Sequence, residues 1–296
     1  MSASLSFKAI GTAWTIDIVD ELSADSLRAL ETAVRARVEK FEQAYSRFRK
    51  DSIVADIARS AGTRDLPVDA EPMMRLYREM YDLTHGLMTP LIGVTISDAG
   101  YDASYSLVPK KEIRKPRAWD EVMEYRAPTL VTKEPVMLDF GAIGKGYCID
   151  IVAGLLRAAG IRSFIVEAGG DMAHQGGEPM RVGLEDPTDP DKMVGIVTVA
   201  NASVCGSAGN RRAWDKYHHV MNPNTATSPR HILALWTVAE TTALADALAT
   251  ALFFADPVAL RTKFSFEYAL LYADHTAEVS TGFPGKLFGD KAGKKV

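Results

Sequence analysis

Cysteine is nearly absent from this chain of 296 residues: Cys148 and Cys205 stand far apart, and no CxxC pair occurs. That excludes a disulfide framework and a cysteine-based zinc site, and it leaves two reduced thiols of the kind usually found as small buried hydrophobes. Long apolar runs are missing as well. No stretch approaches the roughly 20 apolar residues that span a bilayer, so membrane insertion is not expected. The opening MSASLSFKAIGTAWTIDIVDELS has no basic start, no unbroken apolar segment and no small-residue cleavage site, which predicts a cytoplasmic location. One-sided charge is also lacking. There are 34 basic and 38 acidic residues, a net charge of -4, and no basic cluster before the segment Lys291 to Lys295. A nucleic-acid partner is excluded, because its phosphates demand clustered Lys and Arg. An anionic small molecule remains open.

What is present is the ordinary balance of a globular protein, 47% hydrophobic and 24% charged. The length suits one large domain, expected over residues 1–285, followed by a Lys-rich flexible tail at 286–296. Alternation predicts a strand from Trp14 to Val19. Leu27, Leu30, Val34, Val38, Phe41 and Tyr45 then recur every three or four residues, which predicts one face of a long helix. A second helix opens at Pro72 and closes at Gly86, with Met73, Leu76, Met80 and Leu83 on its buried stripe. Residues 94–135 show weak periodicity and read as loops and short irregular elements.

The pattern sharpens from Val136. An apolar run ends at Asp139, the turn GAIGKG follows, and a helix continues to its stop at Gly160. Further strands are predicted at Ser163–Ala168, Val194–Val199, Tyr217–Met221 and Leu233–Val238, with a helix at Thr242–Phe254. Strands and helices alternate irregularly, so the predicted class is α+β, a mixed sheet flanked by helices, with two intimately joined α/β halves as a variant.

Three places could carry chemistry. The turn at 141–146, read as joining a strand to a helix N-terminus, would offer backbone N–H groups and the Lys145 ammonium to a phosphate. A tight turn needed only for packing, or a Rossmann fingerprint ending at Glu167, are the other readings; the GxxGxG spacing departs from GxGxxG and from the Walker A loop. Asp246 and Thr250, four apart, share one helix face amid apolar neighbours and suit a hard cation such as magnesium. Alternatively both side chains bond locally. His218 and His219 end a short strand before a turn, where an imidazole could move protons near neutrality or simply hydrogen-bond.

Taken together, LDFGAIGKGYCIDIVAGLL, IVEAGGDMAHQG, ASVCGSAGN, KYHHVMNPNTATSP and ADALATALF resemble, in order, segments of the ApbE family, the FAD:protein FMN transferases. Weaker likenesses are IGTAW, YSRFRKDS and HGLMTPLIG. The resemblance implies an enzyme that cleaves the FAD pyrophosphate, releases AMP and joins FMN through a phosphoester to a Thr or Ser of an acceptor flavoprotein. It further implies a Mg2+ ion, with Ca2+ or Mn2+ as alternatives, held by Asp246, Thr250 and the Ala142 carbonyl. Lys145 and Asp139 would contact FAD; Phe48, Leu87, Met88, Thr89 and Val220 would line the flavin side; His219 would be the general base. Phe48 stands where the family often has Tyr, Thr89 where it often has Asp, Asn222 for Asp and Ala226 for Gly. An FAD pyrophosphatase and a non-catalytic flavin-binding protein are the alternative functions.

Overall fold

A two-residue turn at Ile10 and Gly11, both with positive φ (51° and 68°), folds strand β1 (Ala3–Ala9) back onto β2 (Thr12–Ile18). The computed structural model describes residues 3–288 and the backbone of 292–295. Along β2 every second residue, Trp14, Ile16 and Ile18, is buried, as the two-residue period of a strand requires. Helix α1 (Ala24–Tyr45) starts where Ser23 Oγ accepts the Ser26 N–H at 3.1 Å, and it buries Leu30, Val34, Val38 and Phe41 as its spacing predicts.

Next come α2 (Ile53–Ile57), β3 (Gly62–Asp65) and α3 (Glu71–Leu83), whose Met73, Met74, Tyr77 and Met80 are core residues while Leu76 and Leu83 are half-buried. Helices α4 (Gly93–Asp98) and α5 (Trp119–Val122) precede β4 (Met123–Arg126) and β5 (Thr129–Thr132). Strands β3, β5 and β4 form a small antiparallel sheet inside the region expected to be irregular. Four-residue strands carry too little alternation to announce themselves, and β5 completes its pairing only at distant β3, where Thr132 meets Gly62.

Helix α6 (Gly144–Ala158) leads into β6 (Phe164–Ala168), β7 (Asp171–Gln175), β8 (Met180–Asp186), β9 (Asp189–Val199) and β10 (Ser203–Ala208). The hairpin β11 (Ala213–Trp214) and β12 (Tyr217–His218) is followed by β13 (Ile232–Ala239), α7 (Thr242–Ala251), α8 (Pro257–Arg261), β14 (Glu267–Tyr272), β15 (Ala277–Val279), β16 (Gly285–Leu287) and β17 (Ala292–Lys295). Nine strands form one sheet in the order β1-β2-β6-β7-β10-β13-β14-β15-β17, antiparallel throughout except for the parallel pair β15–β17. The fold is therefore α+β with a mixed sheet, as predicted.

Strand alternation distributes the core. On β13, Ile232, Leu235 and Ala239 join the apolar layer formed with α1, α3, α6 and α7, whereas Ala234, Trp236 and Val238 face Leu184, Val197 and Val199 of the small sheet β16-β9-β8. Helix α7 is apolar nearly all round and buried nearly all round, which is what such a sequence dictates. Its single acid, Asp246, is carried inward with it.

Three further expectations change. Residues 136–140 form no strand: Val136 and Asp139 donate single N–H bonds to Ile57 and Pro90, which are not parts of a ladder. The strand expected at Tyr217–Met221 stops at His218, because Asn222 turns the chain. Pairing also extends past the start of the expected tail, since β16 pairs with β9 and β17 with β15; residues 289–291 and 296 lie outside the described residues.

Candidate active site

The N-terminus of α6, the inner face of α7, the residues flanking the β11–β12 hairpin and the segment at 87–92 border a cleft of about 620 Å³. Phe48, Leu87, Met88, Thr89, Asp139, Ala142, Lys145, His219, Val220, Asp246 and Thr250 all border it. Residues spread over most of the chain thus meet at one place.

Asp246 is 8% exposed, and its Oδ2 accepts the Gly146 N–H at 2.9 Å across the α6–α7 contact. That amide would otherwise bond the Ala142 carbonyl four residues back, which accepts no backbone hydrogen bond among the described residues. Thr250 Oγ1 is likewise uncommitted among them, and neither Asp246 nor Thr250 makes the local bond that would use it up. Burial raises the Asp246 carboxyl above the usual carboxylate range, against the lowering effect of Lys145. Two hard oxygens left without partners among the described residues, beside a desolvated carboxylate, fit a magnesium-sized cation that completes its shell with water and phosphate. Among the described residues there is no cluster of three or more His, Cys, Asp or Glu poised to hold a metal, so thiolate or imidazole sites are not offered.

The approach of α6 to α7 depends on Gly146. A Cβ there would lie 2.3 Å from the Thr242 carbonyl oxygen and 2.7 Å from Asp246 Cβ. Gly146→Ala is therefore expected to lose about 1–3 kcal/mol through overpacking. Denaturant unfolding would measure it, and an unchanged midpoint would contradict this packing.

Lys145 is ion-paired with Asp171, which is 1% exposed, and burial pulls the ammonium below its ordinary pKa. Asp139 is also committed: Oδ1 accepts the Gly141 N–H at 2.7 Å and Oδ2 takes Arg47 Nε. The amides of Gly141, Gly144 and Gly146 all have protein acceptors, so the 141–146 turn is less open to a phosphate than its sequence suggests. The strand expected before the turn is absent. A Rossmann site is excluded by the sheet, because β6 is antiparallel to both neighbours and Glu167 Oε1 accepts the Gly170 N–H of its own hairpin.

The two histidines separate cleanly. His218 is 5% exposed; its Nε2 donates to the Pro229 carbonyl at 2.8 Å and Nδ1 accepts the Val220 N–H at 3.3 Å, a saturated structural role. His219 donates from Nδ1 to the Arg211 carbonyl at 3.0 Å, which fixes the tautomer and leaves Nε2 as an acceptor toward the cleft. Burial, then the Arg212 charge and His218, push its pKa down to about 3. The turn after the hairpin keeps its shape with Asn222, whose Oδ1 accepts the Asn224 and Thr225 N–H groups, while Ala226 sits at φ 55° where the family's glycine would be unstrained.

On the far side, Phe48 stacks on Tyr105 at 5.0 Å, and the Arg47 guanidinium lies 4.1 Å from its ring centre. Tyr101 stacks in turn on Trp214. Thr89 Oγ1 accepts the Leu91 N–H at 3.2 Å, Met88 and Val220 are mostly buried, and Leu87 is half-buried. Arg47, Tyr101, Asp171 and Arg212 were given no role from the sequence; the pairing of Arg47 with Asp139 and of Asp171 with Lys145 reveals two of them, and their place on the border of the cleft reveals Tyr101 and Arg212. Both cysteines are free and buried, as expected. Among the described residues no helix is long and apolar enough to cross a membrane.

The chain is similar to known proteins in sequence and in fold. An FAD:protein FMN transferase of Klebsiella pneumoniae is 26% identical over 274 residues, covering 84% of this chain and 77% of that protein. The flavin transferase ApbE of Vibrio cholerae superposes with a TM-score of 0.79 at 19% identity over 96% of this chain and 98% of its own. The ApbE protein of Thermotoga maritima gives 0.81, also at 19% identity, over 95% and 97%. Residues 10–265 match the ApbE family itself, and with most of its length so matched the chain belongs to the ApbE family.

Proposed function

We propose that this chain is a magnesium-dependent FAD:protein FMN transferase, which cleaves the FAD pyrophosphate, releases AMP and leaves FMN on a Thr or Ser hydroxyl of an acceptor flavoprotein. The observation that carries the reading is the convergence of Asp246, Thr250 and the Ala142 carbonyl with His219 Nε2 on one cleft large enough for a nucleotide. Relatives bearing that name support it.

Asp246, Thr250 and Ala142 O would hold the cation, which when bound neutralises charge on phosphoryl oxygens. His219 Nε2 accepts the proton of the incoming hydroxyl, while its Nδ1–H stays locked on Arg211. Phe48, Leu87, Met88, Thr89 and Val220 exclude water around the flavin. Asp139 and Lys145 border the FAD, each steadied by its ion-pair partner. Most of the acceleration in such transfers comes from positioning and electrostatics, which suits a rigid cleft.

Incubating the protein with FAD, Mg2+ and an acceptor flavoprotein, and following AMP by chromatography alongside flavin on the acceptor, tests this. Metal-dependent AMP matched by flavinylated acceptor is expected. Free FMN in place of adduct would make the protein a pyrophosphatase, and bound but uncleaved FAD would make it a carrier.

A further inference from the structure

Three Lys or Arg side chains border the cleft: Lys145, Arg211 and Arg212. Lys145 is paired with Asp171, and Arg211 with Glu185. Arg212 has no ion pair or hydrogen bond among the described residues. Its backbone is in the left-handed region at φ 48°, where a non-glycine residue is held only by its surroundings. Those surroundings are the β11–β12 ladder, in which Ala213 pairs with His218. One step further along the same register brings Arg212 opposite His219, and the bond from His219 Nδ1 to the Arg211 carbonyl closes that step.

We infer that the Arg212 guanidinium is the anion-binding group of this cleft, pairing with the pyrophosphate of FAD and neutralising the charge that gathers on AMP as it leaves; this rests on the transferase reading above. Guanidinium suits the task, since it is always charged and its N–H fork matches phosphate oxygens. In the step itself, the acceptor oxygen bonds to the FMN-side phosphorus and the bond from that phosphorus to the bridging oxygen breaks. The bridging electron pair departs with AMP, and the hydroxyl proton goes to His219 Nε2. Arg212 faces the group that gains charge. Its field already reaches the cleft: after burial it is the next influence on His219, and it also acts on Lys145, Asp246 and Tyr101.

Fluorescence titrations with FAD and with riboflavin, which lacks phosphate, separate this role from a structural one. In EDTA, Arg212→Ala is expected to weaken FAD binding and leave riboflavin binding unchanged, and Arg212→Lys to recover part of the loss. With Mg2+ and an acceptor flavoprotein, AMP release by Arg212→Ala is expected to fall by roughly 10²–10³-fold, the usual effect of removing one donor to developing charge. Equal weakening of FAD and riboflavin, or AMP release at the wild-type rate, would overturn the inference. Should wild-type protein release no AMP, the transferase reading fails by itself, and the paired titrations still decide whether Arg212 reads phosphate.

Discussion

Asp246→Asn is expected to fold normally and yet to release AMP from FAD at least ~100-fold more slowly, because a lost cation site removes several kcal/mol of charge stabilisation. Asparagine is the informative replacement. Its carboxamide oxygen still accepts the Gly146 N–H that Asp246 Oδ2 now takes at 2.9 Å, so the α6–α7 contact survives. Alanine would leave that buried amide without a partner at a cost of about 1–3 kcal/mol, and lost activity could then be blamed on misfolding. Asparagine also removes a charge that burial disfavours. The variant should therefore melt at or above the wild-type temperature in EDTA, and magnesium should raise the wild-type melting temperature alone. If the variant still gained stability from Mg2+, or kept wild-type AMP release, the cation would have to sit elsewhere.

His219→Ala is expected to lower flavin transfer by roughly 10²–10⁴-fold, the range typical of a lost general base. The pH behaviour distinguishes His219 from an ordinary histidine. Its pKa is held near 3, so the imidazole is neutral and ready across the whole range in which an exposed histidine, near 6.5, would be losing its proton. Transfer should show no acid limb near pH 6.5. Stability carries the same signature. Above about 6.5 both folded and unfolded chains hold His219 neutral; below it the unfolded chain takes up a proton that the folded chain refuses, so stability falls as pH drops from about 6.5 toward about 3. His219→Gln should flatten that slope by one proton. Urea unfolding at several pH values checks it, and a variant with the wild-type slope would place the titrating proton on another residue.

Much of the local structure was legible in the sequence. The long spacing from Leu30 to Phe41 specifies α1, the alternation at Trp14, Ile16 and Ile18 specifies β2, and the apolar segment around Asp246 specifies a buried α7. These patterns are legible because burial acts on periods of 3.6 and 2 along the chain itself. The site residues were reached chiefly through the likeness of five short segments to one family, since Asp246 and Thr250 on a helix face, or His219 in a turn, are ambiguous alone.

The tertiary structure decided what no periodicity contains. It distinguished His218, saturated by Pro229 and Val220, from His219, whose Nε2 faces the cleft. It matched Lys145 with Asp171 and Asp139 with Arg47, turned the expected strand before Gly141 into an irregular segment, and left Arg212 uncommitted among the paired cations. Each of these is a contact between residues remote in sequence. The sequence by itself determined the long periodic elements and the likeness to the family, because propensity and pattern act over a few residues. Charge pairing, tautomer and access to the cleft arise only when α6 comes to rest against β7 and α7 and the β11–β12 hairpin against the end of α4, so the structure alone decides them.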